Sequence, residues 1–209
     1  MHTCTGKTKE IVVDFRRTQT KHAPLSINGA VVERVSSTKF LGVHISEDLS
    51  WTINTAAVAK KAHQRLYFLR KLRRARAPTP IMTTFYRGAI ESILTSCSTV
   101  WYGACTASCR RSLQRIVRTA EKITGTSLPC LQDLYSSRLR SKALCWVGDL
   151  AHPLHCFFNL LPSGRRLRSL SSRTSRLRDN SVHQAVRMLN SLPAPPLRPP
   201  LPLLPPRTH

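Results

Sequence analysis

The stretch WTINTAAVAKKAHQRLYFLRKLRRARAP, residues 51–78, contains the clearest helical periodicity in the chain. Apolar residues recur in it at intervals of three or four, which predicts an amphipathic helix from Trp51 to about Ala75. Ser50 is the candidate N-cap, and Pro78 cannot continue the helix. The predicted core face comprises Val58, Ala62, Leu66, Leu69 and Leu72.

The residues before this helix alternate with a period of two, which is typical of strands. Asn28-Gly29 stands between two short β-rich runs and is the strongest local signal for a hairpin. Ile11–Phe15 and Lys39–Ile45 are predicted as further strands. Together these strands predict a small antiparallel sheet.

Three more helices are predicted after Pro78, beginning at Thr79-Pro80, near Ser108 and at Leu128-Pro129. Gly125 is expected to end the second of these. Their predicted core faces comprise Met82, Phe85, Tyr86, Ala89 and Ile93, then Leu113, Ile116, Val117, Ala120 and Ile123, then Leu131, Leu134, Tyr135, Leu139, Ala143 and Trp146. The fold class is therefore α+β, with a small N-terminal antiparallel sheet followed by a mostly helical bundle.

Composition divides the chain into four parts. Residues 1–48 are β-rich, and residues 49–162 form the helical bundle. Residues 163–192 are an arm rich in Arg and Ser, with a short helix predicted from Asp179 or Ser181 to about Leu189. Residues 193–209 alternate Pro and Leu, which predicts a disordered or polyproline II tail.

Charge is the main compositional guide to function. The chain has 33 Lys and Arg residues against 10 Asp and Glu, a formal net charge of +23. Such an imbalance favours a polyanionic partner, and nucleic acid fits best. An acidic membrane surface is the weaker alternative, and no apolar run has the length of a membrane span.

The seven cysteines form no CxxC pair, which favours reduced thiols, mostly in the core, of an intracellular protein. A nuclear and a cytoplasmic location both stay open.

Short motifs follow one another in a definite order along the chain. They are Lys7–Arg17, His22–Gly29, Lys39–Ile45, Asp48–Trp51, Arg65–Arg70, Phe85–Arg87, Ile90–Leu94, Val100–Gly103, Leu113–Ala120, Ile123–Gly125 and Leu161–Arg166. This series resembles the stretch C-terminal to the catalytic centre of non-LTR, LINE-type retrotransposon reverse transcriptases. The resemblance implies that Lys7, in motif D, lies near the incoming nucleotide and that Phe40-Leu41-Gly42, in motif E, is the primer grip. The helices after Trp51 would be a thumb-like bundle that holds a template–primer duplex.

The same resemblance implies that the chain is not an enzyme. Polymerase chemistry needs two Mg²⁺ ions held by carboxylates. The family's YxDD pair lies upstream of the matched stretch, and the aspartates Asp48, Asp133, Asp149 and Asp179 are isolated in the sequence. We therefore expect a catalytically incomplete, basic fragment that binds RNA or an RNA–DNA duplex, without a metal or a cofactor.

Two alternatives remain. Residues 7–45 also resemble the segment catalogued as the N-terminal domain of AlkB homologue 8, a tRNA-modifying dioxygenase and methyltransferase. His22 and His44 lack the His-x-Asp context of an iron site, and no SAM-binding glycine loop is present. This alternative predicts an accessory domain without that activity. The other alternative is a retroelement-derived product without function.

The candidate nucleic-acid-binding cations lie on predicted helix faces and in the arm. They are Arg111, Arg115, Arg118 and Lys122 at helical spacing, Lys60, Lys71 and Arg74 on the polar face of the first helix, and Arg165 and Arg166 in the arm. Helical spacing suits a regular row of phosphates, and an Arg-rich arm can order on RNA. The alternatives are solvated helix faces and, for the arm, a linker or a localisation signal. Binding through these cations should weaken steeply with salt.

Two weaker motifs complete the sequence analysis. His152-Pro153-Leu154-His155-Cys156, with Cys105 and Cys109, has zinc-ligand residue types at spacings unlike a structural site, so turn and core roles are favoured. Pro202–Arg207 matches the PxxPxR ligand of SH3 domains, a pattern that Pro-rich tails often contain by chance. The predicted core anchors are Trp51, Trp101 and Trp146.

Overall fold

The computed structural model describes residues 8–16 and 22–192. Short strands precede a series of helices, so the predicted α+β class is confirmed. The chain divides into two compact units, residues 1–132 and residues 133–209. Lys7, the Pro-rich tail and its Pro202–Arg207 motif lie outside the described residues.

The described strands of the first unit form three separate two-stranded ladders. β1 (Lys9–Glu10) is parallel to β4 (Glu33–Arg34), while β2 (Ser26–Ile27) with β3 (Ala30–Val31) and β5 (Ser37–Phe40) with β6 (Val43–Ser46) are antiparallel. The prediction of one antiparallel sheet is therefore wrong, as is the strand over Ile11–Phe15. β1 and β4 can be parallel because no short turn joins them, since the β2–β3 hairpin lies between them along the chain. A two-residue turn joins only antiparallel strands.

Both hairpins are closed by two residues with positive φ. Asn28 and Gly29, with φ of 51° and 79°, confirm the predicted turn. Leu41 and Gly42, with φ of 47° and 88°, form a second turn, so the single strand predicted over Lys39–Ile45 is wrong. Two successive positive φ values are typical of a type I′ turn, which favours Asn and Gly and rarely accepts Leu. Because Leu41 stands where the first turn has Asn28, the sequence of the second turn does not show the Asn-Gly pattern that predicts a hairpin.

The long helix α1 spans Thr52–Arg74, close to its predicted bounds. Ser50 does not cap it, because Trp51 holds the N-cap position and no side chain caps the helix there. Ser50 instead donates its backbone N–H to Asp48 Oδ1 at 2.9 Å, in the turn before the helix. Of the predicted core face, Ala62, Leu66 and Leu69 are fully buried, and Val58 and Leu72 are half-buried.

Polar side chains fix the first turn of α1. Asn54 Oδ1 accepts a hydrogen bond from the His44 backbone N–H at 3.1 Å. Thr55 Oγ1 lies 3.4 Å from Cys105 Sγ. Asn54 and Thr55 are both buried, and their contacts join the helix to β6 and to the segment around Cys105. Hydrophobic periodicity gives no signal for such residues.

The next helical segment changes type along its length. It comprises α2 (Thr79–Tyr86), a π turn (Arg87–Glu91) and α3 (Ser92–Thr95), with Pro78 and not Thr79 at the N-cap position. Its fully buried apolar side chains are Met82, Tyr86, Ile90 and Leu94. The predicted face thus missed Ile90 and Leu94, and its Phe85, Ala89 and Ile93 are half-buried. A π turn contains more residues per turn than an α-helix, so residues four apart can stay on one face.

α4 (Ser98–Trp101) and a 3₁₀ turn (Tyr102–Ala104) lead to α5 (Ala107–Thr124). Thr106 Oγ1 caps α5 by accepting the Cys109 N–H, and Gly125 ends it with φ of 74°, as predicted. α5 packs against α1 and α2. Its buried residues include the predicted Leu113, Ile116, Val117 and Ala120, while Ile123 is half-buried.

Of the three predicted tryptophan anchors, Trp101 is fully buried and Trp51 and Trp146 are half-buried. The Trp101 indole N–H donates to the Ser96 carbonyl at 2.9 Å, which satisfies its one polar group.

The second unit begins within α6 (Leu131–Gly148), which starts later than the predicted Leu128-Pro129. A 3₁₀ turn (His155–Phe157), α7 (Ser175–Arg178) and α8 (Ser181–Ser191) follow. α8 confirms the short helix predicted in the arm. Its Gln184 Oε1 accepts the Tyr135 hydroxyl at 2.9 Å. The buried apolar residues of this unit are Tyr135, Leu139, Ala143, Phe158, Leu167, Ala185, Val186 and Leu189, while the predicted Leu134 is half-buried.

The cysteines of the described residues are free thiols. Cys105 is the buried one among them, whereas Cys97, Cys145 and Cys156 are exposed. The prediction that the cysteines are mostly core residues is therefore wrong. Among the helices in residues 8–16 and 22–192, none is both long enough and apolar enough to cross a membrane.

Candidate nucleic-acid interface

The α5 surface consists of Arg111, Arg115, Arg118 and Lys122, all of which are exposed. Residues three and four positions apart share a face of an α-helix, so these four side chains form one row. The row lies opposite the buried face of α5, which contains Leu113 and Ile116. Packing of that buried face therefore directs the four cations toward solvent.

The α5 surface has no carboxylate partner among the described residues. Ion pairs elsewhere in that part of the chain join Lys9 to Glu33, Arg16 and His22 to Asp14, Arg34 to Glu10, and Arg178 to Asp179. Glu121, the acid on α5, accepts the Leu128 backbone N–H at 3.0 Å through Oε1. The four cations are therefore electrostatically uncompensated, which favours contact with an anion.

Arg110 precedes the α5 surface and has a different role. Its Nη2 donates to the Gly103 carbonyl at 2.7 Å, and its guanidinium carbon lies 5.7 Å from the centroid of the Tyr102 ring. These contacts hold the 3₁₀ turn against the start of α5. Arg110 thus stabilises the first unit and does not belong to the exposed row.

The α1 surface consists of the exposed cations of α1 and of the residues that follow it. The predicted Lys60, Lys71 and Arg74 are all exposed. The further members are Lys61, Arg65, Arg70, Arg73 and Arg76. Residues 52–76 contain no Asp or Glu, so the helix has no acid of its own to neutralise this charge.

Two aromatic side chains lie among the cations of α1. Tyr67 is 52% exposed and Phe68 is 48% exposed, and their ring centroids are 5.6 Å apart with the ring planes at 79°. Lys71 Nζ lies 5.4 Å from the Tyr67 centroid, and the Arg65 guanidinium carbon lies 5.9 Å from the Phe68 centroid. Both distances are in the range of cation–π contacts. The sequence analysis did not single out this pair, although two adjacent aromatic residues between cations are a pattern typical of nucleic-acid binding.

Arg165 and Arg166 lie on a turn of the second unit. Leu160 and Leu167 form an antiparallel bridge, and the Leu161 N–H donates to the Arg166 carbonyl at 2.8 Å. Leu167 is also bonded to the Asn190 side chain, at 2.8 Å through its N–H and at 3.1 Å through its carbonyl. Both arginines are exposed, on the loop that this bridge and these hydrogen bonds close.

Phe40, Leu41 and Gly42, the predicted primer grip, form the tip of the β5–β6 hairpin. Phe40 is 61% exposed and Leu41 is 82% exposed. The tip therefore presents an apolar surface without charge.

The aspartates serve local turns and ion pairs. Asp48 Oδ1 accepts Ser46 Oγ–H at 2.5 Å and the Ser50 N–H, and these hydrogen bonds lower the pKa of Asp48 to about 2. Hydrogen bonds from Arg16 and His22 hold the pKa of Asp14 well below its usual range. Within residues 8–16 and 22–192, no three His, Cys, Asp or Glu side chains are grouped so as to hold a metal ion.

The histidines of residues 152–156 bond to the backbone. His152 Nδ1 accepts the Leu154 N–H at 3.1 Å, and His155 Nδ1 lies 3.2 Å from the Trp146 carbonyl oxygen. Cys156 Sγ lies 3.4 Å from the Pro153 carbonyl oxygen. These contacts fit the turn role that the sequence favoured over zinc ligation.

A family model described as "Alkylated DNA repair protein alkB homolog 8, N-terminal" matches residues 51–92. These residues comprise Trp51, α1, α2, the π turn and the first residue of α3. The AlkB homologue 8 resemblance is thus supported, but its predicted position over residues 7–45 is wrong. No curated protein and no solved structure matches the chain. These comparisons give no support to the reverse-transcriptase resemblance.

Proposed function

We propose that the chain is an accessory module that binds nucleic acid and catalyses no reaction. The observation that carries this proposal is the pair of uncompensated cationic surfaces on α1 and α5, which lie in the unit that contains the family match. The matched family's description names alkylated DNA, a nucleic acid, as what is repaired. Exposed cations that replace the counterions of phosphates gain affinity from counterion release.

The reverse-transcriptase resemblance supports a second version of the same function. In it the chain is a retroelement fragment, and α1 to α5 bind an RNA–DNA duplex as a polymerase thumb does. The ordered motifs from Lys7 to Arg166 favour this version. The two versions differ in ligand preference, because a template–primer holder should bind the hybrid duplex more tightly than an unpaired strand.

Fluorescence anisotropy with labelled RNA–DNA duplex and labelled single-stranded RNA tests the proposal. Affinity for at least one ligand should fall steeply between about 50 mM and 200 mM KCl, since each phosphate contact contributes close to one unit of log–log slope. The variant Arg111→Gln, Arg115→Gln, Arg118→Gln, Lys122→Gln should lower this slope by about one unit for each contact that is lost.

A matched control removes the same charge from the second unit. Arg140, Lys142, Arg168 and Arg173 are exposed, and their replacement by Gln should leave most of the affinity and the slope unchanged. An affinity that does not change with salt would contradict the proposal. So would equal losses in the two variants, since net charge alone would then explain binding. Absence of binding in a folded chain would favour the product without function.

A further inference from the structure

The exposed aromatic pair of α1 is unusual for a helix with so polar a surface. Tyr67 and Phe68 expose about half of their side chains, while the same helix buries Ala62, Leu66 and Leu69 completely. Aromatic side chains contribute most when their apolar area is covered. The two rings lie outside the face that packs in the first unit, so a core role does not account for them.

The charge around the pair indicates what would cover it. Arg65 and Lys71 each lie over one of the rings, and residues 52–76 contain eight Lys and Arg residues without an acid. A partner that covers the rings must therefore be flat and apolar at the rings and negatively charged beside them. A nucleotide has this composition, because its base has a π face and its phosphate is a few bonds away.

We propose that Tyr67 and Phe68 form a platform on which unpaired bases of a single-stranded nucleic acid stack, while Arg65 and Lys71 contact the neighbouring phosphates. The inference rests on the proposed nucleic-acid binding and specifies its ligand as a single strand. Bases inside a duplex stack on each other and offer no free face, whereas stacking on aromatics with cationic support is a general mode of single-strand binding. The ring planes are nearly perpendicular, at 79°, so one base cannot lie flat on both rings and each ring would take a base of its own.

Three probes of equal length distinguish stacking from charge attraction. They are a 12-nucleotide oligoadenosine RNA, an abasic 12-mer with the same phosphates, and a 12-base-pair RNA duplex. The complete chain should bind oligoadenosine more tightly than either of the others. Base stacking on an aromatic residue corresponds to a roughly five- to 150-fold change in affinity upon its removal. Tyr67→Leu with Phe68→Leu removes both rings and should therefore weaken oligoadenosine binding by at least that factor, while it leaves abasic binding unchanged.

Conservative and remote variants control for structural effects. Tyr67→Phe and Phe68→Tyr keep both rings and should retain oligoadenosine binding. Phe157→Leu makes the same kind of change at a half-exposed ring in the second unit and should have no effect. Light-induced crosslinking of an oligonucleotide with 5-iodouridine to the unmodified chain should modify the tryptic peptide Leu66–Arg70. This readout needs no variant to fold.

The outcomes separate the two proposals. Equal affinity of the chain for oligoadenosine and for the abasic strand, or crosslinks that avoid residues 66–70, would overturn the stacking platform but leave charge-driven binding intact. Preference for the duplex would also overturn it, in favour of the template–primer version. A chain that binds none of the probes would overturn both the platform and nucleic-acid binding.

Discussion

Tyr86 buries a hydroxyl that has no hydrogen-bond partner among the described residues. Burial, with the nearby charges of Glu91 and Glu121, raises the pKa of the phenol and keeps it protonated. An unpaired buried hydroxyl costs about 1–3 kcal/mol. We therefore expect Tyr86→Phe to raise the free energy of unfolding, measured with urea, by about 1 kcal/mol. Tyr67→Phe is the control, and its exposed hydroxyl should change stability by less than about 0.5 kcal/mol. A clear loss of stability in Tyr86→Phe would show that the hydroxyl is paired.

Asp48 organises the turn before α1 through its bonds to Ser46 and Ser50. Its pKa in the folded chain, about 2, lies below the ordinary value of 3.8, so the folded state binds a proton less readily than the unfolded state. The carboxylate therefore stabilises the fold above about pH 4, and this contribution disappears as the pH falls toward 2.

Asp48→Ala should accordingly lower the melting temperature at pH 6, with a difference from the parent chain that shrinks between pH 4 and pH 2. Asp149→Ala is the matched control variant. In the contacts that the structure shows, Asp149 Oδ1 accepts only a local turn bond from the Ala151 N–H. A difference for Asp48→Ala that stays constant from pH 6 to pH 2 would exclude an ionised carboxylate as its cause.

Among the elements, the two hairpins offer a comparison of turn chemistry. Asn28 and Leu41 occupy the same left-handed position, with φ of 51° and 47°, and each is followed by Gly. An ordinary L-residue in this conformation costs roughly 1–2 kcal/mol, and Asn tolerates it better. Leu41→Asn should therefore raise the free energy of unfolding by about 1 kcal/mol, and Asn28→Leu should lower it by a similar amount. Denaturant titration of both variants checks this, and a loss in Leu41→Asn would show that the exposed leucine makes a stabilising contact.

The elements also show where sequence patterns suffice. α1 and α5 could be predicted because their apolar residues keep one period, and Gly125 marked the end of α5 through its left-handed conformation. The prediction of Ser50 as the N-cap was wrong because capping depends on the backbone angles of the capping residue. The Ser50 backbone N–H donates to Asp48 instead. The core face of the segment after Pro78 was predicted only in part, because its buried residues follow a spacing of four through the π turn. A pattern of period 3.6 does not anticipate this spacing.

At the scale of the whole molecule, a net charge of +23 acts against compactness. Salt screens repulsion between exposed charges, with a Debye length of about 10 Å at 0.1 M. The melting temperature of the free chain should thus rise when KCl is increased from about 50 mM to 200 mM, the range in which nucleic-acid affinity should fall. Differential scanning calorimetry checks this, with the four-Gln variant of the second unit as a less charged comparison. A melting temperature that falls with salt would show that attractive ion pairs dominate.

The candidate interface was predictable in part at this scale. Helical spacing placed Arg111 to Lys122 correctly on one exposed face, because a solvated row needs only the 3.6 period. Sequence could not separate the structural Arg110 from its neighbours, since its role depends on the Gly103 carbonyl beside it. Nor could it show that residues 160–167 form a loop bonded to Asn190, because these hydrogen bonds join positions 23 apart in the chain.

The π turn has a consequence for how this chain can change in length. It accommodates one residue more than a regular α-helix would need between Tyr86 and Ser92. Removal of the exposed Gly88 would bring the four buried side chains, Met82, Tyr86, Ile90 and Leu94, to spacings of four, three and four, the ordinary pattern of an amphipathic α-helix. The segment should therefore tolerate the deletion of one residue here. The same deletion in a regular helix would rotate its second half out of the core. Relatives of this chain that are one residue shorter here could share its fold unchanged.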